Sequence, residues 1–160
     1  MKFPFQKYAA KPIPSHPTRN SVLRPTIPIT ITNKTTGENE RYIALIDSGA
    51  DYCIFHASFG QVIGLNIKSG KELTYFGIEG GGQTAYFHDI LVGVGGWNFE
   101  CYAGFSEYFD QKNFPYGILG QNGFFDKFRI ILDSSKCEIE LKENPNIKFS
   151  PFKTPLKATI

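Results

Sequence analysis

The chain lacks most of the features that mark secreted and membrane proteins. Its three cysteines, Cys53, Cys101 and Cys137, are odd in number and widely spaced, so a disulfide framework is not expected. No segment approaches the ~18 consecutive apolar residues of a membrane-spanning helix, and the segment from Met1 to Phe5 has no apolar run typical of a signal peptide. We therefore expect a cytoplasmic protein with reduced thiols and no membrane partner.

The net charge is also small, and the charges are unevenly placed along the chain. No acidic residue precedes Glu38, and the whole chain has a formal net charge of +2. A net charge this small does not indicate nucleic acid as a partner. The three histidines, His16, His56 and His88, are isolated in the sequence, and no set of ligands at metal-binding spacing is present. We expect no metal and no cofactor.

What the chain does contain is enough apolar material for one domain. Its 160 residues include 15 Phe and 8 Tyr, and single cores usually occupy about 100 to 200 residues. We predict a proline-rich basic arm over residues 1–24, a domain over 25–141 and an extended tail over 142–160. Prolines in the arm disfavour helix and central strand. The arm either is loosely packed or lies across the domain, the cleft or a second subunit.

Short β-branched and apolar runs separated by turn residues predict a mainly β structure. One hairpin is predicted around residues 26–46, a longer hairpin with a glycine-rich tip over 73–94, and a last hairpin over 128–141. Residues 57–65 and 121–127 are predicted as short helical segments, and residues 106–116 as a loop. Many short strands with little helix predict an all-β barrel or sandwich.

The motif with the clearest chemical meaning is the acidic turn at Asp47. This residue follows the apolar run Ala44-Leu45-Ile46 directly and is followed by the small residues Ser48 and Gly49. Small residues allow a tight turn and the close approach of another backbone. Asp-Ser-Gly is also a common turn tripeptide, so an Asx turn that only ends a strand is the alternative interpretation.

Four segments in a fixed order resemble the retropepsin family, the aspartic proteases of retroviruses and their cellular and bacterial relatives. Residues 47–51, Asp-Ser-Gly-Ala-Asp, resemble the active-site loop, and residues 77–82 resemble the glycine-rich flap that closes over substrate. Residues 117–120, Gly-Ile-Leu-Gly, resemble the segment that packs beside the loop, and residues 121–125 resemble the start of the following helix. The resemblance covers about residues 26–141. It implies a single-lobe closed acid-protease β-barrel with a flap hairpin and one short helix.

The resemblance also implies roles for individual residues. Asp47 is the implied catalytic residue, with Ser48 and Gly49 supporting the active-site loop. The implied substrate-binding residues are Ala50, Asp51, Ile78, Gly80, Gly81 and Gly82, and those packing beside the loop are Ile118, Leu119 and Gly120. Viral members carry an arginine after the apolar segment that pairs with the second aspartate. Gln121 stands there in this chain, and since a glutamine can still bond a carboxylate, we expect a differently built interface.

The implied chemistry requires two aspartates. Two carboxylates about 3 Å apart cannot both ionise easily, so the pair shares one proton, and one acts as base while the other acts as acid. Asp-Thr/Ser-Gly occurs once here, at Asp47, and the chain is too short for two lobes. We therefore predict a homodimer that hydrolyses a peptide or protein substrate. The alternatives are a non-catalytic peptide-binding module on the same fold and a latent protease inhibited by its N-terminal arm.

Overall fold

The computed structural model describes residues 1–77 and 80–151, apart from the side chain of Pro151. The helices in this part of the chain are α1 (Ala57–Val62), α2 (Glu107–Gln111) and a short 3₁₀-helix (Ile67–Ser69). The strands are β1 (Lys2–Pro4), β2 (Gln6–Ala9), β3 (Ser21–Arg24), β4 (Thr26–Asn33), β5 (Asn39–Ile46), β6 (Ile54–His56), β7 (Lys71–Phe76), β8 (Gly82–Val94), β9 (Trp97–Ser106), β10 (Gly117–Leu119), β11 (Phe128–Asp133), β12 (Glu138–Glu143) and β13 (Ser150–Pro151).

Six of these strands form a closed barrel. β4 pairs antiparallel with β5 on one side and β8 on the other, and β8 pairs antiparallel with β9. β9 pairs parallel with β6, β6 pairs antiparallel with β10, and β10 pairs parallel with β5, which completes the ring. Closure leaves no unpaired edge among the six. The all-β barrel expected from the sequence is confirmed.

The barrel interior is filled by the alternate residues of its strands. In β4, Ile27, Ile29 and Ile31 are buried while Pro28 between them is exposed. This period of two is the pattern of a strand with one buried face, and β-branched side chains suit it. The largest fully buried side chains are Phe55, Phe105 and Phe124. Each such side chain stabilises the fold by about 1.5–3 kcal/mol relative to an exposed one.

Both ends of the described chain are paired into sheets, and β1, β12 and β11 form a three-stranded sheet apart from the barrel. β1 pairs with β12, and the N-terminal ammonium of Met1 donates a hydrogen bond to the Leu141 carbonyl oxygen at 2.7 Å. Phe3 and Phe5 pack against the core. β2 and β3 form a separate two-stranded sheet, and β13 pairs with β9. Residues 152–160 lie outside the described residues, and the division into arm, domain and tail stays a prediction.

Two local predictions were wrong. Residues 106–116 contain the helix α2, because Phe109 is buried against His56 and Phe114 and this packing holds a short helix that no periodicity indicated. Residues 121–127 form consecutive turns instead of a helix. Gly123 has a φ of 109°, which a right-handed helix does not contain.

Candidate active site

Asp47 lies in a tight turn at the end of β5. Its backbone N–H donates to the Leu119 carbonyl oxygen at 3.1 Å, and its own carbonyl oxygen accepts from Ala50 N–H at 3.3 Å. The Asp47 Oδ1 atom accepts a hydrogen bond from Gly49 N–H at 2.9 Å. The side chain is partly buried. Its second carboxylate oxygen, Oδ2, has no hydrogen-bond partner within residues 1–77 and 80–151. Gly49 N–H therefore fixes Oδ1, while Oδ2 can accept a hydrogen bond from another molecule.

The segment after β10 anchors this turn through two side-chain amides. Gln121 Nε2 donates to the Ser48 carbonyl oxygen at 2.7 Å, while its backbone N–H donates to Ala50 at 2.8 Å. Asn122 donates to the Asp51 carbonyl oxygen twice, from Nδ2 and from its backbone N–H, each at 2.8 Å. Gln121 thus binds a backbone carbonyl of the loop and not the Asp51 carboxylate. Sequence reasoning missed Asn122, whose only signal was its place beside Gln121.

The two segments are in direct backbone contact at Gly120. A Cβ atom there would lie 2.4 Å from the Tyr52 carbonyl oxygen and 2.7 Å from that of Ala50. Ile118 and Leu119 precede it in β10, in register with Leu45 and Ile46 of β5, and Leu119 is fully buried. Residues 118–120 therefore lie beside the acidic turn.

The predicted flap is the hairpin of β7 and β8, paired from Lys71–Phe87 to Phe76–Gly82. Gly80 N–H donates to the Gly77 carbonyl oxygen at 3.2 Å, and Gly80 and Gly81 have φ values of 69° and 93° that favour glycine. The predicted substrate-binding residue Ile78 lies outside the described residues. Phe76, which sequence reasoning missed, is 78% exposed at the tip. No hydrogen bond in the described part of the chain joins the flap glycines to the Asp47 turn.

Tyr116, which sequence reasoning did not find, lies within electrostatic reach of Asp47. Burial raises the pKa of the Tyr116 hydroxyl, and the negative charge of Asp47 adds to the rise. The positive charge of Arg24 lowers the pKa and opposes the shift. The Arg24 guanidinium lies 5.7 Å from the centre of the Tyr116 ring, and the Tyr8 ring meets it edge-on at 5.3 Å. The hairpin of β2 and β3 is thereby held against Tyr116.

His56 and Tyr42 form a separate polar pair inside the barrel wall. The Tyr42 hydroxyl contacts His56 Nδ1, and His56 Nε2 donates to the Phe114 carbonyl oxygen at 2.9 Å, which leaves Nδ1 as the acceptor for Tyr42. Burial lowers the pKa of His56, and a nearby carboxylate, Asp110, opposes this. The pair borders a groove of about 910 Å³ that Asp47 does not line. We assign the pair a structural role.

The described residues contain no cluster of three or more His, Cys, Asp or Glu side chains able to hold a metal ion. Helices in that part of the chain are also too short or too polar to cross a membrane.

Taken together, the strand pairing and the site define a closed six-stranded β-barrel that carries the Asp-Ser-Gly turn at Asp47. Neither a family model nor a curated protein matches the chain. Among solved structures, the chain is similar to one described as EIAV protease complexed with the inhibitor HBY-793. The two are 17% identical, the match covers 61% of this chain and 82% of that chain, and the TM-score is 0.45. A score this low does not define a family, and the fold class stated above is based on the strand pairing.

Proposed function

We propose that this protein is an aspartic endopeptidase of the retropepsin type that acts as a homodimer. The observation that carries the proposal is the presentation of Asp47. Its turn is fixed by backbone hydrogen bonds to β10, one carboxylate oxygen is held by Gly49 N–H, and the other has no partner within the described chain. A carboxylate held in this way on a rigid barrel is preorganised for acid–base work.

The proposed reaction uses two Asp47 carboxyl groups, one from each chain of the dimer. Close approach of the two carboxylates disfavours the doubly charged form, so the dyad holds one proton. The unprotonated carboxylate takes a proton from a water molecule, which attacks the carbonyl carbon of the scissile peptide bond. The protonated carboxylate donates its proton to the developing oxyanion. The carboxyl group that took the proton from water then donates it to the amide nitrogen, the C–N bond breaks and the amine leaves, while the other carboxylate takes a proton back from the intermediate. Dimerisation is a condition of activity because each chain contributes one carboxylate.

The proposed dimer brings the two acidic turns together. Ser48 is exposed on its turn, and its hydroxyl has no hydrogen bond within the described residues, which supports the role of bonding across the interface. Ala50, Asp51 and the flap residues 78 and 80–82 would contact an extended peptide laid between the flap and the barrel. We also propose that the protein works in the cytoplasm.

Cleavage of a diverse peptide library between pH 4 and 7 tests the proposal. The wild type is expected to cleave and to be inhibited by a statine-type compound, whereas Asp47→Asn is expected to be inactive. Asp89→Asn, which changes an exposed aspartate of β8, is the matched control and should cleave normally. Equal cleavage by Asp47→Asn and the wild type would contradict the catalytic role of Asp47. A protein that cleaves peptides but sediments strictly as a monomer would contradict the proposed dimer.

A latent form is the second candidate, since the Tyr8 ring of the N-terminal arm contacts Tyr116, which is within electrostatic reach of Asp47. Removing residues 1–24 would be a poor test, because Phe3 and Phe5 pack against the core. Tyr8→Ala removes the contact and keeps the strand. An increased cleavage rate in Tyr8→Ala supports latency, and an unchanged rate removes it.

A further inference from the structure

Positive charge is concentrated in the first part of the chain. Residues 1–37 contain six of the 17 Lys and Arg residues and no Asp or Glu, a net charge of +6. Residues 38–160 contain the other eleven and all 15 Asp and Glu residues, a net charge of −4. A positive segment on a chain whose remaining residues are net negative attracts acidic partners to a defined place.

The hairpin of β2 and β3 has two different faces. Gln6 pairs with Arg24 and Tyr8 with Val22, and this face carries the Tyr8 contact with Tyr116. The opposite face carries the cross-strand pair Lys7 and Leu23. Leu23 is 46% exposed. The hairpin therefore holds its inner face against the barrel and presents a cation beside an apolar side chain on the other.

A groove of about 560 Å³ runs along this outer face. Phe5, Lys7, Arg19, Ser21 and Leu23 line it from the hairpin side, while Ser134 and Cys137, from the turn between β11 and β12, form its other wall. The turn is attached to the N-terminal segment by a hydrogen bond from Phe5 N–H to the Cys137 carbonyl oxygen at 2.7 Å. Two separate parts of the chain thus build the groove.

The two cations of the groove are not neutralised within the described chain. Neither Lys7 nor Arg19 forms an ion pair there, and Arg19 Nε makes a 3.3 Å hydrogen bond to the Ser21 carbonyl oxygen. An unpaired cation next to exposed apolar surface suits an acidic peptide with apolar residues. A nucleic acid would use exposed aromatic rings for base stacking, but Phe5 is packed against the core.

We propose that this groove is an exosite for an acidic peptide segment. Carboxylates of the segment pair with Lys7 and Arg19, and a neighbouring apolar side chain packs on Leu23. The proposal rests on the groove and does not depend on catalysis by Asp47. In an active peptidase, the exosite would favour protein substrates that carry such a segment away from the cleaved bond.

Fluorescence anisotropy at low ionic strength tests whether the charges of Lys7 and Arg19 contribute to peptide binding. The probe is a fluorescein-labelled peptide of repeating Glu-Leu-Glu-Ser, and the full chain carries Asp47→Asn so that the probe stays intact. Lys7→Gln/Arg19→Gln is expected to weaken binding roughly 2- to 30-fold, the range for two exposed ion pairs. The matched control Lys71→Gln/Arg129→Gln removes two other exposed cations and should bind as the parent does. Equal weakening in both pairs would show a general charge effect and overturn the proposal.

The Leu23→Ser variant distinguishes binding of a peptide from general binding of a polyanion. This variant should weaken binding of the Glu-Leu probe and leave unchanged the binding of an oligonucleotide of equal charge, and its unfolding temperature should stay well above the temperature of the binding assay. Tighter binding of the oligonucleotide than of the peptide would replace the proposal with a nucleic-acid site. Peptide binding by the Asp47→Asn chain would support the exosite even if the wild type cleaved no peptide. The exosite and the peptidase activity can therefore be contradicted independently.

Discussion

Gln121 donates a hydrogen bond from its side-chain amide to the Ser48 carbonyl oxygen at 2.7 Å, and this contact joins the acidic turn to the segment after β10. Asn122 makes the equivalent bond to the Asp51 carbonyl oxygen at 2.8 Å. Both bonds connect a neutral amide to a backbone carbonyl. These two bonds are therefore insensitive to salt and to the protonation of carboxylates, unlike an ion pair.

Gln121→Ala is expected to lower the free energy of unfolding by about 0.5–1.5 kcal/mol, the usual net contribution of one hydrogen bond. Urea denaturation of the two proteins measures this difference. The loss should be the same at low and high salt. Gln111→Ala, which changes an exposed glutamine of α2, is the control and should stay close to the wild type. A loss in Gln121→Ala that disappears at high salt would contradict the neutral-amide explanation.

Gly120→Ala is expected to destabilise the fold by about 1–3 kcal/mol, the typical cost of forcing atoms into filled space. The added methyl would meet the Tyr52 carbonyl oxygen at 2.4 Å, and backbone atoms cannot move away as a side chain can. Gly77→Ala is the control because a Cβ there has nothing within 4 Å and its φ is not positive. Similar unfolding midpoints for the two variants would show that β10 and the acidic turn can separate freely.

His56 is expected to make the protein less stable in acid. The unfolded chain binds a proton at His56 near the ordinary pKa of about 6.5, whereas burial lowers the pKa of His56 in the folded state. The unfolded state is therefore protonated first, and the free energy of unfolding falls as the pH drops from about 6.5 toward the lower folded pKa. Asp110 opposes the shift and limits its size.

Urea titrations at several values between pH 5 and 7.5 measure this pH dependence. His56→Gln should have a flatter curve than the wild type, whatever its absolute stability. His16→Gln, at an exposed position, should keep the wild-type slope. If His56→Gln and the wild type lose stability in parallel, the histidine is not responsible.

The three thiols are expected to differ in reactivity. Cys53 and Cys101 are buried, and Cys101 has a pKa raised by its contact with Cys53 and by burial, whereas Cys137 is partly exposed. Since the thiolate is the reactive form, an aromatic disulfide reagent should modify about one thiol per native chain quickly and all three after unfolding. Cys137→Ser should remove the fast phase. A fast phase that persists in that variant would mean that the barrel opens at Cys53 or Cys101.

Several features of the fold could be predicted from local sequence. The alternation in the run from Thr26 to Thr32 predicts a strand with one buried face, and β4 has that face. The run of Gly80, Gly81 and Gly82 predicts a hairpin tip between two strands, which are β7 and β8. Such features depend on the preferences of neighbouring residues, and these are present in the chain before it folds.

Other features depend on distant residues and could not be predicted. Helix α2 forms because Phe109 packs against His56, more than fifty residues earlier. The turns after Gly120 replace a helix because Gly123 lies against the sulfur atoms of Cys53 and Cys101. Tyr8 and Arg24 reach Tyr116 only because the hairpin of β2 and β3 folds back on the barrel. Local propensities do not contain these contacts.

The sequence by itself determined that Asp47 follows an apolar strand in a turn of small residues, that this aspartate turn occurs once, and that the chain is mainly β. The tertiary structure decided how the turn is held. It placed Leu119 against Asp47 and brought Gln121 and Asn122 to the carbonyls of Ser48 and Asp51, more than seventy residues away. The physical reason is that barrel closure sets β10 beside β5, and a pairing between distant strands depends on the whole set of core contacts.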